Sequence, residues 1–375
     1  MPGWHEATRE AQEAGRVQML GIIQEQHPDR ARLFMQWKQM DWPLLVDSFN
    51  LSGIKVVPIT LFIDEWGIVR NNRPRPEDLE KFLATEFPQP DTLAQPTDPA
   101  SDSPVLSGGA EHLEAGIEDF ERALEVDPDE AVTHFRLGVA YRMRFDSDSR
   151  QAGDFGAAID HWTRALELDP NQYIWRRRIQ QYGPRLDKPY SFYDWVVEAR
   201  RDIEARGETP IALAVEPGGA EFATPAKELE LHEESAAEPD PDGRIERDAN
   251  GASALINLET IIVPNTSKPG SYRVHLIFEP NMSRAAHWNN EAEPMQVWVS
   301  APEGWRIDRS LHAIANAREA ATLETRHVDF EVARLDGDAP PEAPIIRGHA
   351  LYNVCEDVDG VCLYRRMDFE VATSE

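Results

Sequence analysis

The chain has 375 residues, of which 41% are apolar, with a formal net charge of −29 and a pI near 4.7. That apolar content suffices for two or three cored domains and excludes a wholly disordered chain. The acidity repels phosphate backbones and anionic lipid, which argues against nucleic acid and membrane surfaces as partners.

No apolar run reaches the about 18 residues that a membrane-spanning helix needs. The stretch Met1-Pro2-Gly3-Trp4-His5-Glu6 has no basic segment followed by an apolar one, so no signal peptide is visible. Cys355 and Cys362 are the only cysteines. They do not make a disulfide scaffold, but their close spacing makes them a pair.

Over residues 1–90, Glu6 to Ala14 reads as a helix and Arg16 to Gln24 as a short buried strand. Pro28 suits a first helical turn and predicts a helix to about Met40. Leu44 to Val46 follows as an extended piece, then Val56 to Val69 as strand, turn and strand, with the turn at Glu65 to Gly67. Leu79, Phe82 and Leu83 mark an amphipathic helix over Pro76 to Phe87.

This order resembles the thioredoxin-like fold, in particular the extracytoplasmic thioredoxin-like and redoxin proteins. Val57-Pro58-Ile59-Thr60 falls where that family has its cis-proline, so the resemblance implies a substrate-facing role for Pro58 beside a redox centre; a purely structural proline is the other reading. The family's first strand and its Cys-x-x-Cys precede the first helix, and no cysteine lies in residues 1–90. Either a further segment lies upstream or the domain has lost its chemistry.

Residues 91–107, rich in Pro, Asp, Ser and Thr, read as a linker. Over 108–207 a repeat is visible: Ala123-Leu124-Glu125-Val126-Asp127-Pro128 returns as Ala165-Leu166-Glu167-Leu168-Asp169-Pro170, an offset of 42 residues. Ile117, Phe120 and Leu124 share one helix face; Phe155, Ala158, Ile159, Trp162 and Leu166 share another. Gly138 and Tyr141 lie between them, and Arg142 to Gly153 is a polar loop. A third copy begins at Tyr173 and decays, and Ser191 to Ile203 reads as a capping helix.

The pattern resembles tetratricopeptide repeats. The resemblance implies an all-α stack whose groove binds a protein partner; a spacer is the alternative. Trp175-Arg176-Arg177-Arg178 reads as a solvated basic face, or as a contact for an acidic tail.

Residues 208–243 form an acidic, Pro-rich second linker. From 244 to 375, period-two segments recur at Leu255 to Val263, Tyr272 to Phe278, Val297 and Val299, Val328 to Val332, Ala350 to Val354, and Phe369 and Val371. They predict an antiparallel β-sandwich. Asp359-Gly360 signals a hairpin turn that can set Cys355 and Cys362 opposite each other. His287-Trp288-Asn289-Asn290-Glu291 reads as a loop with its tryptophan packed inward, or as polar side chains that line a site or bind a cation. One histidine without a second at ligand spacing gives no metal site.

The cysteine pair on the last hairpin, Leu363-Tyr364-Arg365-Arg366 after it, Gly270-Ser271-Tyr272 and Glu303-Gly304-Trp305 resemble the N-terminal domain of the disulfide interchange proteins. That family's domain is immunoglobulin-like and passes electrons to thioredoxin-like partners outside the cytoplasm. The resemblance implies a redox pair in which one of Cys355 and Cys362 attacks a partner disulfide and the other resolves the mixed disulfide. This chain has six residues between the cysteines where the family pattern has five. Glu356, Asp357 and Asp359 should raise the thiol pKa values and slow attack. A structural disulfide pinning the hairpin is the other reading.

The expected fold class is therefore an incomplete thioredoxin-like α/β domain, an all-α repeat domain and an all-β immunoglobulin-like sandwich. The expected function is extracytoplasmic thiol–disulfide exchange, or failing that a non-catalytic scaffold. No Ser-His-Asp triad, phosphate-binding Gly loop or zinc motif is evident, and no cofactor is expected. With no signal peptide visible, the cytoplasm stays open as a location.

Overall fold

The computed structural model describes residues 2–90, 110–230, 236–335, 345–356 and 360–372. The expected linker over 91–107, and Asp357 and Asp359 of the expected turn, lie outside the described residues. The chain divides into two compact units. One is Met1–Arg178 with Asp194–Glu216; the other is Ile179–Tyr193 with Pro217–Glu375.

The first unit opens with helix α1 (Pro2–Glu13), strand β1 (Gly21–Ile23), helix α2 (Pro28–Trp37), strand β2 (Leu44–Val46), strands β3 (Phe62–Ile63) and β4 (Val69–Asn71), and helix α3 (Leu79–Leu83). Pro28 stands in the first turn of α2, where a missing N–H has no intrahelical use. Asp64 accepts from the N–H groups of Trp66 and Ile68 and pairs with Arg70 at 2.6 Å, which closes the turn between β3 and β4. Trp4 of α1 packs edge-on against Phe62, and His5 against Trp42.

Five helices follow: α4 (Ala110–Val126), α5 (Ala131–Phe145), α6 (Asp154–Leu168), α7 (Tyr173–Gln180) and α8 (Trp195–Ala205). α5 and α6 touch at Gly138, where a Cβ would stand 2.5 Å from the Trp162 ring; only glycine permits that approach. Trp162 is fully buried and its Nε1–H donates to the Phe135 carbonyl at 3.2 Å. Phe135 in turn stacks on Trp175.

In the second unit the strands are β5 (Ile256–Pro264), β6 (Ser271–Pro280), β7 (His287–Asn289), β8 (Met295–Ser300), β9 (Trp305–Ile307), β10 (Leu311–Ile314), β11 (Ala321–Thr322), β12 (Arg326–Arg334), β13 (Ile345–Cys355) and β14 (Cys362–Ala372). One sheet runs β10-β8-β13-β7-β11 with β14 also on β13; the other runs β5-β6-β12-β9. Alternate residues of both sheets, among them Phe278, Trp288, Val297, Phe330, Tyr352 and Phe369, enclose one core.

The outer face of the four-stranded sheet is charged, and residues 179–193 and 217–222 lie across it as a strap. The Tyr182 carbonyl contacts His275 Nε2 at 2.9 Å, the Arg185 N–H donates to Glu331 at 2.9 Å, and Asp187 accepts from the Thr266 N–H and the Ser267 hydroxyl. His275 Nδ1 also meets Asp329 at 2.8 Å. Burial alone would raise the Asp329 pKa, but the His275 and Arg273 charges hold it well below the usual carboxylate range.

The expected fold class is corrected on three points. The thioredoxin-like strands do not join in one sheet: β1 and β2 pair in parallel, β3 and β4 pair antiparallel, and the two pairs are separate. The helices do not form an all-α domain. Phe49, beyond β2, packs on Phe120 of α4, Trp195 of α8 packs on Phe34 and Trp37 of α2, and the Arg178 guanidinium reaches the Gln24 carbonyl at 2.8 Å. So short a stack leaves apolar helix faces that the neighbouring loop and helix cover, which merges them into one mixed α/β unit. The β-rich unit is not an all-β immunoglobulin-like sandwich either. Six-stranded and four-stranded sheets exceed the seven or nine strands of that fold, and the strap carries helical turns into it.

Candidate functional site: the Cys355–Cys362 hairpin

β13 and β14 pair residue for residue from Ile345 opposite Ala372 to Cys355 opposite Cys362. The two sulfurs are bonded, with Cα atoms 4.0 Å apart. The local rule that places them is strand periodicity: Val354 and Leu363, one position further in, turn toward the core, so Cys355 and Cys362 turn outward.

The pair is asymmetric. Cys355 is 4% exposed, whereas Cys362 is exposed and follows Val361, which is 66% exposed. The third strand makes the difference. β7 lies on the other side of β13, with Trp288 opposite Val354 and His287 opposite Cys355. Cys355 thus sits between two strands and Cys362 on an edge. Beside them Glu356 pairs with Arg284 at 2.7 Å, so one of the three carboxylates expected to burden the thiols has a cation of its own.

The segment His287-Trp288-Asn289 is a strand where the sequence predicts a loop. Trp288 is fully buried and its Nε1–H donates to the Glu324 carbonyl at 2.7 Å. Its polar–apolar–polar alternation is the signal that marks it, although three residues are too few to assign from pattern alone. The register of β7 against Cys355 spans some seventy residues of chain and leaves no local signature.

Pro58 belongs to the first unit and lies exposed in the loop before β3, with a cis Val57–Pro58 bond. Both cysteines belong to the second unit, so these predicted site residues are not drawn from one unit. The basic cluster is not a solvated face: Trp175 is buried, and Arg178 is buried against Gln24 and Gln26. Among the described residues no three His, Cys, Asp or Glu side chains are grouped to hold a metal ion. Nor is any described helix long and apolar enough to cross a membrane.

An open groove of about 350 Å³ lies on the same sheet face and is lined by Trp298, Arg347, His349, Arg366, Asp368 and Glu370. It sits some six residues or more along β13 from Cys355, about 20 Å away. Its charges pair with one another, Arg347 with Glu370 and Arg366 with Asp368, so it is separate from the sulfur chemistry.

No protein-family model and no curated protein sequence matches the chain. Among solved structures it is similar to the GAE domain of GGA2p from Saccharomyces cerevisiae. The match has 15% identity, covers 33% of this chain and 94% of that one, and has a TM-score of 0.19. A likeness at that score assigns neither fold nor function.

Proposed function

We propose that this protein carries out thiol–disulfide exchange with protein partners through Cys355 and Cys362, outside the cytoplasm. The observation that carries the reading is the asymmetry of the pair. Cys362 is an exposed residue at a sheet edge and Cys355 is a buried residue beside it, so an incoming thiolate would meet Cys362 and expel Cys355. Thioredoxin-like proteins, with a reactive dithiol or disulfide of their own, are the proposed partners. A disulfide between the two cysteines suits an oxidising compartment.

Redox buffers of graded potential test this. Native protein quenched with a thiol-alkylating mass tag should step from disulfide to dithiol within the range set by glutathione and dithiothreitol. A Cys355→Ser variant should hold a partner as a mixed disulfide on Cys362. A bond that excess dithiothreitol leaves intact until the protein unfolds would sink the proposal.

A second reading has its own support. The hairpin is already paired along eleven rows, and the buried Cys355 sulfur is poorly placed for rapid turnover. The chain would then be a non-catalytic interaction scaffold, its disulfide contributing about 2–3 kcal/mol by closing a short loop. The same redox titration separates the two.

A further inference from the structure

When a thiolate takes Cys362, the Cys355 sulfur must leave with an electron pair. It does so at a position 4% exposed, where desolvation disfavours a thiolate. A proton donor beside that sulfur would remove the difficulty, and the register supplies one. His287 on β7 stands directly opposite Cys355 on β13. Directly opposed residues of antiparallel strands project to the same face, with Cβ atoms about 5 Å apart.

The face is fixed independently. Trp288, Val354 and Leu363, the next row across the same three strands, all pack on the core. His287, Cys355 and Cys362 therefore form one outward row, histidine at one end and the exposed sulfur at the other. His287 is half-buried. The titratable groups near the row are Glu356 just past β13, paired with Arg284 on the turn before β7, and Tyr364 on β14, which feels the Glu293 carboxylate.

We propose that His287 is the proton donor to the Cys355 sulfur in this exchange, an assignment that rests on the reading above. The partner's thiolate sulfur bonds to Cys362 Sγ, the Cys355–Cys362 bond breaks, the electron pair stays on Cys355 Sγ, and the His287 proton moves to it. The partner's second thiolate then attacks its own sulfur in the mixed disulfide and releases Cys362 as a thiolate, which takes a proton from water. The partner dithiol is oxidised by two electrons and the pair is reduced. In the opposite direction His287 takes the proton from Cys355, which then closes on Cys362 and frees the partner.

Two measurements on the full chain test the role. In a Cys362→Ala background, thiolate absorbance reports the Cys355 titration directly; adding His287→Phe should move it up by about one pH unit or more. With both cysteines present, His287→Phe should slow reduction by dithiothreitol about tenfold, the response to a leaving thiol of higher pKa. His287→Gln keeps an N–H donor but does not titrate. It should recover part of the rate and flatten the pH profile, a pattern that lost packing would not produce. Far-ultraviolet circular dichroism confirms that each variant keeps its sheets. An unchanged titration and an unchanged rate in His287→Phe would overturn the role while leaving exchange intact. A disulfide that dithiothreitol does not reduce even with His287 present would remove the exchange reading and this role together.

Discussion

The two units handle their apolar side chains differently. In the second, two sheets share one core, and residues such as Ile256, Val274, Phe330 and Val354 are sealed from water. In the first, the strands are two or three residues long and lie in two separate pairs. Leu20, Ile22, Leu45, Leu61, Ile63 and Val69 on or beside them are exposed. The core of the first unit lies instead among its helices, around Leu33, Phe135, Ile159, Trp162 and Trp175. The lesson is that strand-like sequence is not by itself a source of stability. A strand buries its alternate residues only when neighbours cover its face, and burial is what stabilises, at about 25 cal/mol per Å².

The sharpest way to break this comparison is to hollow out one core at a time. Trp162→Ala in the first unit and Trp288→Ala in the second should each cost about 3–5 kcal/mol. In calorimetry each variant should lower one of two transitions; if both shift together, the units are not energetically distinct. Replacing Cys355 and Cys362 by serine should cost about 2–3 kcal/mol, confined to the second unit's transition. Gly138→Ala forces a methyl into the Trp162 ring and should destabilise the first unit by about 1–3 kcal/mol. Gly156→Ala, on a helix with open space around it, should stabilise by about 0.5–1 kcal/mol.

Acid sharpens the contrast further. Burial and the neighbouring His134 lower the His161 pKa to about 4; burial and the Arg30, Arg142 and Arg178 charges lower that of His27 to about 2. Both imidazoles therefore protonate first in the unfolded chain, with the Asp146 carboxylate 3.4 Å from His27 Nε2 working against the shift of His27. The stability they contribute is present above pH 6.5 and is lost as pH falls from there toward 4. His312 and His349 in the second unit shift the same way through burial, but only the two in the first unit are displaced far. Denaturant midpoints followed between pH 7 and 4 should therefore fall faster for the first unit. The smallest effect belongs to the exposed strand residues: Ile22→Lys should change stability by less than about 0.5 kcal/mol. A larger loss would mean that this surface is covered in solution.

What could be read in the sequence was local. Period-two segments located β5, β6, β8, β12, β13 and β14, and the turn signal with the cysteine spacing placed two sulfurs across one hairpin. The repeat of Ala123–Pro128 at Ala165–Pro170 located α4 and α6, and Gly138 marked their neighbour's close approach. What could not be read depends on contacts far apart in the chain: Phe49 on Phe120, Trp195 on Trp37, and β7 against the end of β13. The first two merge expected modules into one. The third makes the cysteines unequal and brings His287 to the candidate site. A residue's own neighbours in sequence carry no record of such pairings.

The strap over the four-stranded sheet has a practical consequence for anyone dissecting this molecule. The polypeptide enters the β-rich unit at Ile179, leaves it at Asp194, and comes back at Pro217. Neither unit is one uninterrupted stretch, so no single stop codon or protease nick yields both halves whole. A fragment starting at Gly218 would leave His275 and Glu331 without the Tyr182 carbonyl and the Arg185 N–H that meet them, and its instability would report the surgery rather than the native sheet.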